Sequence, residues 1–133
     1  MIAILDAGAV IAYLHGETGD EVVEATLLDR SASCFIHAIT LYEVYYDFLR
    51  RTDEPTAVSY VHALRENGLV VCEGLDETLW RDAAHLKVSH RLSVADSFAV
   101  ALARRLGGEL LTTDHHELDA VAAARDCSIR FIR

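Results

Sequence analysis

Proline occurs once, at Pro55, and no stretch of the 133 residues is rich in proline, glycine or serine. That scarcity excludes an internal linker or a low-complexity segment, and no repeat is present. One domain, residues 1–133, is expected, long enough to bury a core without disulfide staples. Long apolar runs are missing as well: the uninterrupted ones span a few residues, against the roughly 20 needed to cross a bilayer. No membrane association is expected. No charged-then-apolar leader precedes the first apolar run, so a cytoplasmic protein is the expectation. Cysteine is sparse and odd in number, at Cys34, Cys72 and Cys127, with no C-x-x-C pair, which excludes a disulfide framework and a thiolate metal site. Basic charge is the last deficit. Twelve Lys and Arg against 21 Asp and Glu give a net charge of -9, which argues against a non-specific grip on phosphates. It does not exclude a nucleic-acid substrate, because carboxylates gathered around a cation add to the same negative count.

What is present is an alternation of short apolar runs and helical periodicity. Ile2 to Leu5, Cys34 to Ile36, Leu69 to Cys72, Leu110 to Thr112 and Ile129 to Ile132 read as strands. Between them, Ala9 to Leu14, Asp20 to Leu28, Thr40 to Arg51, Pro55 to Arg65, Asp76 to His90, Ser93 to Leu106 and His115 to Ala124 read as helices. Strands that are continuous apolar runs and alternate with helices predict an α/β fold, with a parallel sheet covered on both faces. In such sheets ligands bind beyond the carboxyl ends of the strands.

Four carboxylates occupy junctions that this topology directs to one edge. Asp6 closes the first apolar run and Asp114 closes Leu110-Leu111-Thr112-Thr113; Glu43 and Asp96 open helices. Each has an alternative reading as a helix cap. Thr40-x-x-Glu43 and Ser93-x-x-Asp96 fit the capping box, and Asp6 and Asp114 fit simple caps. Capping, however, gives no reason for acids to gather at one edge. If they gather, two unit charges 4 Å apart repel by about 4 kcal/mol at an effective dielectric near 20, and a divalent cation relieves that repulsion. Carboxylates without clustered thiols or imidazoles form an oxygen-only site suited to Mg²⁺ or Mn²⁺, whose Lewis acidity eases attack of water on phosphorus. Asp6, Glu43, Asp96 and Asp114 are therefore the candidate metal ligands and catalytic residues. Glu117, one turn beyond Asp114, is a candidate water-mediated ligand, and His116 a candidate phosphate contact.

The segments Ile4-Leu5-Asp6, Thr40-Leu41-Tyr42-Glu43-Val44, Leu92-Ser93-Val94-Ala95-Asp96 and Leu110-Leu111-Thr112-Thr113-Asp114, in this order and spacing, resemble the PIN-domain family over essentially the whole chain. Within it the chain looks most like the small single-domain VapC-type ribonuclease toxins. The resemblance implies a three-layer α/β/α sandwich, Mg²⁺ or Mn²⁺ at the four acids, and hydrolysis of RNA phosphodiester bonds. It further implies a homodimer and an antitoxin partner in a type II toxin–antitoxin pair. The chain departs from the pattern where the family commonly carries hydroxyl residues after the first acid: here stand Ala7 and Gly8. A hydroxyl near Asp6 is then expected to be missing, and a PIN-like binding module without catalysis is the alternative reading.

Two other phosphoryl-transfer folds fit poorly. A receiver domain needs a late lysine, whereas the single lysine, Lys87, precedes Asp96; a haloacid-dehalogenase-type phosphatase needs an Asp where this chain has Gly8. Finally, the helix from Thr40 carries one polar stripe, Glu43, Asp47 and Arg50, among Leu41, Tyr42, Val44, Tyr45, Tyr46, Phe48 and Leu49. That much apolar surface predicts either a helix buried between neighbours or a tyrosine-bearing contact for a partner.

Overall fold

The computed structural model describes residues 1–133. In chain order the elements are β1 (Ile2–Leu5), α1 (Ala7–His15), α2 (Asp20–Leu28), β2 (Ser33–His37), α3 (Ala38–Arg51), α4 (Glu54–Glu66), β3 (Val70–Cys72), α5 (Glu77–His90), α6 (Val94–Leu106), β4 (Glu109–Thr112), α7 (His115–Ala124) and β5 (Ser128–Phe131). Every strand and helix expected from the apolar patterning is present. Their ends follow local chemistry. Asp53 caps α4 by accepting the Thr56 amide, with Pro55 in the first turn, where its missing N–H leaves no bond unmade. Gly107, at φ 63°, closes α6 in the left-handed conformation that glycine adopts without a Cβ clash.

The strands form one parallel sheet in the order β3-β2-β1-β4-β5. Successive side chains on each strand point to opposite faces, and both faces are covered. Ala3, Leu5, Cys34, Ile36 and Leu111 join one buried cluster with residues of α1, α2, α3 and α4. Ile4, Leu110 and the half-buried Phe35 pack with α5, α6 and α7 on the other side. The result is a three-layer α/β/α sandwich, and it explains why the strands read as continuous apolar runs rather than as alternation. No helix is long and apolar enough to cross a membrane. The three cysteines are free thiols.

Helix α3 differs from its sequence reading in two respects. It begins at Ala38, where His37 Nδ1 accepts the Ile39 amide at 3.1 Å, so Thr40 is inside the helix and not its cap. The Thr40–Glu43 capping box therefore does not form. Its polar stripe, moreover, is not uniformly wet. Asp47 is buried, accepts a hydrogen bond from Arg50 at 3.0 Å and is ion-paired with Arg51 at 3.1 Å, with His15 of α1 at 3.7 Å. Tyr42 and Tyr46 are instead 64% and 53% exposed, stacked on each other with the Arg50 guanidinium over Tyr46. The helix is thus not enclosed on all sides, because the pairing of Asp47 with two arginines supports that acid on the inner face while the tyrosines face outward.

Candidate metal centre

From β1 the chain moves outward through β2 to β3, then crosses to β4 and on to β5 on the other side of β1. The order therefore reverses between β1 and β4. Helices leave these two strands on opposite faces of the sheet, which opens a crevice beyond their carboxyl ends. Asp6 follows β1 and Asp114 lies two residues past β4, and the two strands are paired through Leu5 and Leu111. A cavity of about 410 Å³ occupies this crevice, lined by Asp6, Ala7, Gly8, Glu43, Ser93, Asp96, Thr113, Asp114 and Glu117. All four acids singled out from the sequence line it, and Glu117 makes a fifth.

Each acid arrives by a different local route. Asp6 is 2% exposed and caps α1: its Oδ1 accepts the Ala9 amide at 2.8 Å, and its Oδ2 accepts the Thr112 hydroxyl. The same Thr112 oxygen accepts the Asp114 amide at 2.9 Å, tying the two strand ends together. Asp114 caps α7 through the Glu117 amide at 3.0 Å. For these two acids the capping role is real, and it fixes the carboxylates in the crevice. Asp96 is different. Ser93 caps α6 by accepting the Asp96 amide at 3.2 Å, but the reciprocal acceptor of the Ser93 amide is Glu117, at 3.3 Å. The acid of the expected capping box has been replaced from another helix, which leaves the Asp96 carboxyl free to enter the cavity.

The electrostatics record the crowding. Burial pushes Asp6 up to about 6, against the opposing hydrogen bonds from Thr112 and Ala9, with Asp114 and Glu43 adding repulsion. Asp96, 9% exposed, is pushed up to about 9, first by burial, then by its hydrogen bond to Glu117 and the charges of Asp6, Glu117 and Asp114. Glu117 moves down because it accepts the Asp96 proton. Glu43 is raised by burial and by Glu117. Burial and mutual repulsion thus favour a less charged cluster, with Asp96 raised and Glu117 lowered. One oxygen each from Asp96, Asp114 and Glu117 lie within 4.8 Å of one another. An oxygen-only set at that spacing fits a hard divalent ion, with Asp6 and Glu43 on the same cavity wall.

Sequence reading named Glu117 only as an indirect participant, although Asp114-x-x-Glu117 places both acids on one helical face. Ser93 and Thr113 were not anticipated as wall residues. The adjacent histidines part as expected. His115 is held outside the cavity by Asp119 at 2.8 Å, the Arg133 carbonyl at 2.9 Å and the Phe131 ring. His116 is near enough to help lower Glu117.

Fold and site together define a doubly wound α/β/α protein with a carboxylate-lined pocket at the switch point of its sheet. The chain belongs to the PIN-domain family, whose model, described as PIN domain, matches residues 3–124. Among solved structures it is similar to a toxin–antitoxin complex from Klebsiella pneumoniae, with a TM-score of 0.73 and 15% identity over 98% of each chain. It is also similar to VapBC2 from Rickettsia felis bound to a promoter DNA fragment, with a TM-score of 0.76 and 13% identity over 98% of each chain. A third similar structure is a sarcin-ricin loop cleaving VapC toxin from Mycobacterium tuberculosis. It has a TM-score of 0.70 and 17% identity, covering 89% of this chain and 94% of that one. At these identities the likeness establishes the shared fold. No curated protein sequence matches the chain.

Proposed function

We propose that this chain is a single PIN domain, residues 1–133, acting as a Mg²⁺- or Mn²⁺-dependent endoribonuclease and serving as the toxin of a type II toxin–antitoxin pair. The observation that carries the reading is the convergence of five carboxylates, from four separate segments of the chain, on one cavity at the switch point. Family membership supports nuclease chemistry there, and the toxin–antitoxin structures that share the fold support the antitoxin partner; a homodimer in a cytoplasmic setting completes the proposal.

Asp6, Glu43, Asp96 and Asp114 hold the cation in this reading, with Glu117 beside them. The bound cation supplies Lewis acidity at the scissile phosphate and at the attacking water. The protein's own groups do the positioning. Thr112 locks the Asp6 and Asp114 junctions at a fixed separation, and Ser93 with Glu117 locks the start of α6. Asp96, whose carboxyl is raised by burial and by its acidic neighbours, would have to be ionised to act as a ligand, so cation binding and deprotonation would be linked. His116, near enough to Glu117 to help lower it, is the candidate phosphate contact in this reading. The test is cleavage of RNA by purified protein with Mn²⁺ or Mg²⁺, with excess chelator and with Asp96→Asn or Asp6→Asn. Cleavage that persists in chelator, or at the full rate in Asp96→Asn, would falsify the assignment. Mn²⁺ titration also separates the enzyme from a non-catalytic module, which lacks cation-dependent stabilisation.

A further inference from the structure

Gly8 sits in the first turn of α1 with an ordinary helical backbone, where glycine costs about 0.5–1 kcal/mol relative to alanine. Its backbone is not left-handed, so conformation does not require it. Space does. A Cβ at residue 8 would collide with the Thr113 hydroxyl oxygen and lie 3.6 Å from Asp6 Oδ1. The Thr113 hydroxyl therefore occupies the place from which a side chain at residue 8 would grow, on the wall of the acid cavity and beside Asp6. Its neighbour Thr112 spends its own hydroxyl on Asp6 and on the Asp114 amide, whereas Thr113 presents its oxygen to the cavity. Ala7 also lines the cavity but carries no hydroxyl to offer.

We infer that Thr113 is a positioning residue of the acid site, supplying from the β4 end the hydroxyl that Ala7 and Gly8 do not supply from α1. Gly8 is the vacancy that admits it. The hydroxyl can both donate to and accept from water, so it orients the hydration of a cation held at Asp6. This rests on the metal-site reading above, and extends it to a pair of residues that act together across the switch point.

The test is Mn²⁺ binding by calorimetry, with chelator-treated thermal melts to establish folding, on the full chain and four variants. Thr113→Val, which keeps the shape and removes the hydroxyl, should weaken Mn²⁺ binding by about tenfold, and Thr113→Ser should stay within about threefold of wild type. Gly8→Ser should lower the melting temperature through its clash. Gly8→Ser/Thr113→Ala should recover both stability and affinity, because the hydroxyl has only changed its point of attachment. Unchanged affinity in folded Thr113→Val overturns the inference, as does failure of Thr113→Ser or of the exchanged pair to retain binding. Absence of Mn²⁺ binding by the wild-type chain overturns the metal-site reading itself, and the inference with it.

Discussion

Asp96→Asn should stabilise the cation-free protein while destroying its response to the cation. In the folded chain at pH 7 Asp96 is held protonated, its carboxyl pushed up to about 9 mainly by burial and then by Glu117. In the unfolded chain it ionises at its ordinary value near 3.8. Folding at pH 7 therefore takes up a proton against a gap of about three units, and at about 1.4 kcal/mol per unit the upper limit of this cost is about 4 kcal/mol. Asparagine cannot ionise in either state, has nearly the same volume, and its amide can donate to Glu117 as the protonated acid does. Coupling to Glu117 reduces the gain, so about 2 kcal/mol or more is expected at pH 7, a rise in melting temperature of roughly 6 °C or more. The sign follows from the raised folded pKa. The protonated form contributes its stability fully below about 3.8, and that contribution is lost as pH rises toward 9. The gap between variant and wild type should thus be smallest near pH 4 and widen with pH. Urea melts in chelator measure it. A variant no more stable than wild type, or a gap that does not change with pH, would refute the placement of a shared proton in the cavity. Adding Mn²⁺ should raise the stability of wild type and leave the variant nearly unmoved, with RNA cleavage lost.

Thr112→Val removes the hydroxyl that serves both Asp6 and the Asp114 amide. It should destabilise the fold by about 1–3 kcal/mol in urea melts, and Asp6 should titrate above its present value near 6, since that hydrogen bond opposes the effect of burial. Mg²⁺ affinity should rise with pH by up to about tenfold per unit between pH 6 and 8, because the Asp96 proton competes with the cation; calorimetry showing a pH-independent affinity would count against it. Tyr46→Ala, at a side chain 53% exposed, should change stability by less than about 1 kcal/mol. It should also weaken co-purification with the cognate antitoxin, and undiminished complex formation would remove Tyr46 from that surface.

The layers of the fold were legible because a sheet covered on both faces leaves its mark in every strand: Ile2 to Leu5 has no wet side to show. Asp6 and Asp114 were legible for the same reason, each standing where an apolar run ends. Strand order was not. Nothing in the four residues of β1 or β4 states that they pair, so the reversal that brings Asp6 beside Asp114 became visible only through the register of Leu5 with Leu111. Asp96 lies in the second helix after β3, and its arrival in the crevice depends on the packing of α5 and α6 across the sheet. Local rules also gave a wrong partner twice. The Ser93 amide is satisfied by Glu117 from α7, and α3 is capped by His37 and not by Thr40. In both places a long-range contact overrode a short motif that looked complete. The burial of Asp47 was illegible for a related reason: one of the groups beside it, His15, comes from α1.

How the fold tolerates its own acid cluster follows from what surrounds the cavity. The first turns of three helices border it: α1 at Asp6, α6 at Ser93 and α7 at Asp114. Each helix start carries partial positive charge worth about 0.3–1 kcal/mol to a nearby carboxylate. A single pair of carboxylates 4 Å apart repels by about 4 kcal/mol at an effective dielectric near 20. Three helix ends therefore offset less than one close pair among five acids, and the remainder has to be neutralised. Without a cation, a proton on Asp96 would neutralise one charge, at the group that capping leaves free and that burial and its acidic neighbours raise furthest. Asp6 cannot take that role as readily, because the Ala9 amide and the Thr112 hydroxyl both favour its ionised form. Proton and cation are then alternative occupants of one electrostatic deficit, and the replacement of Asp96 by Glu117 at the Ser93 amide is what makes the exchange possible. Had Asp96 closed its own capping box, its charge would have been spent on the backbone of α6 and the cavity would have lost the acid best able to trade a proton for a metal ion.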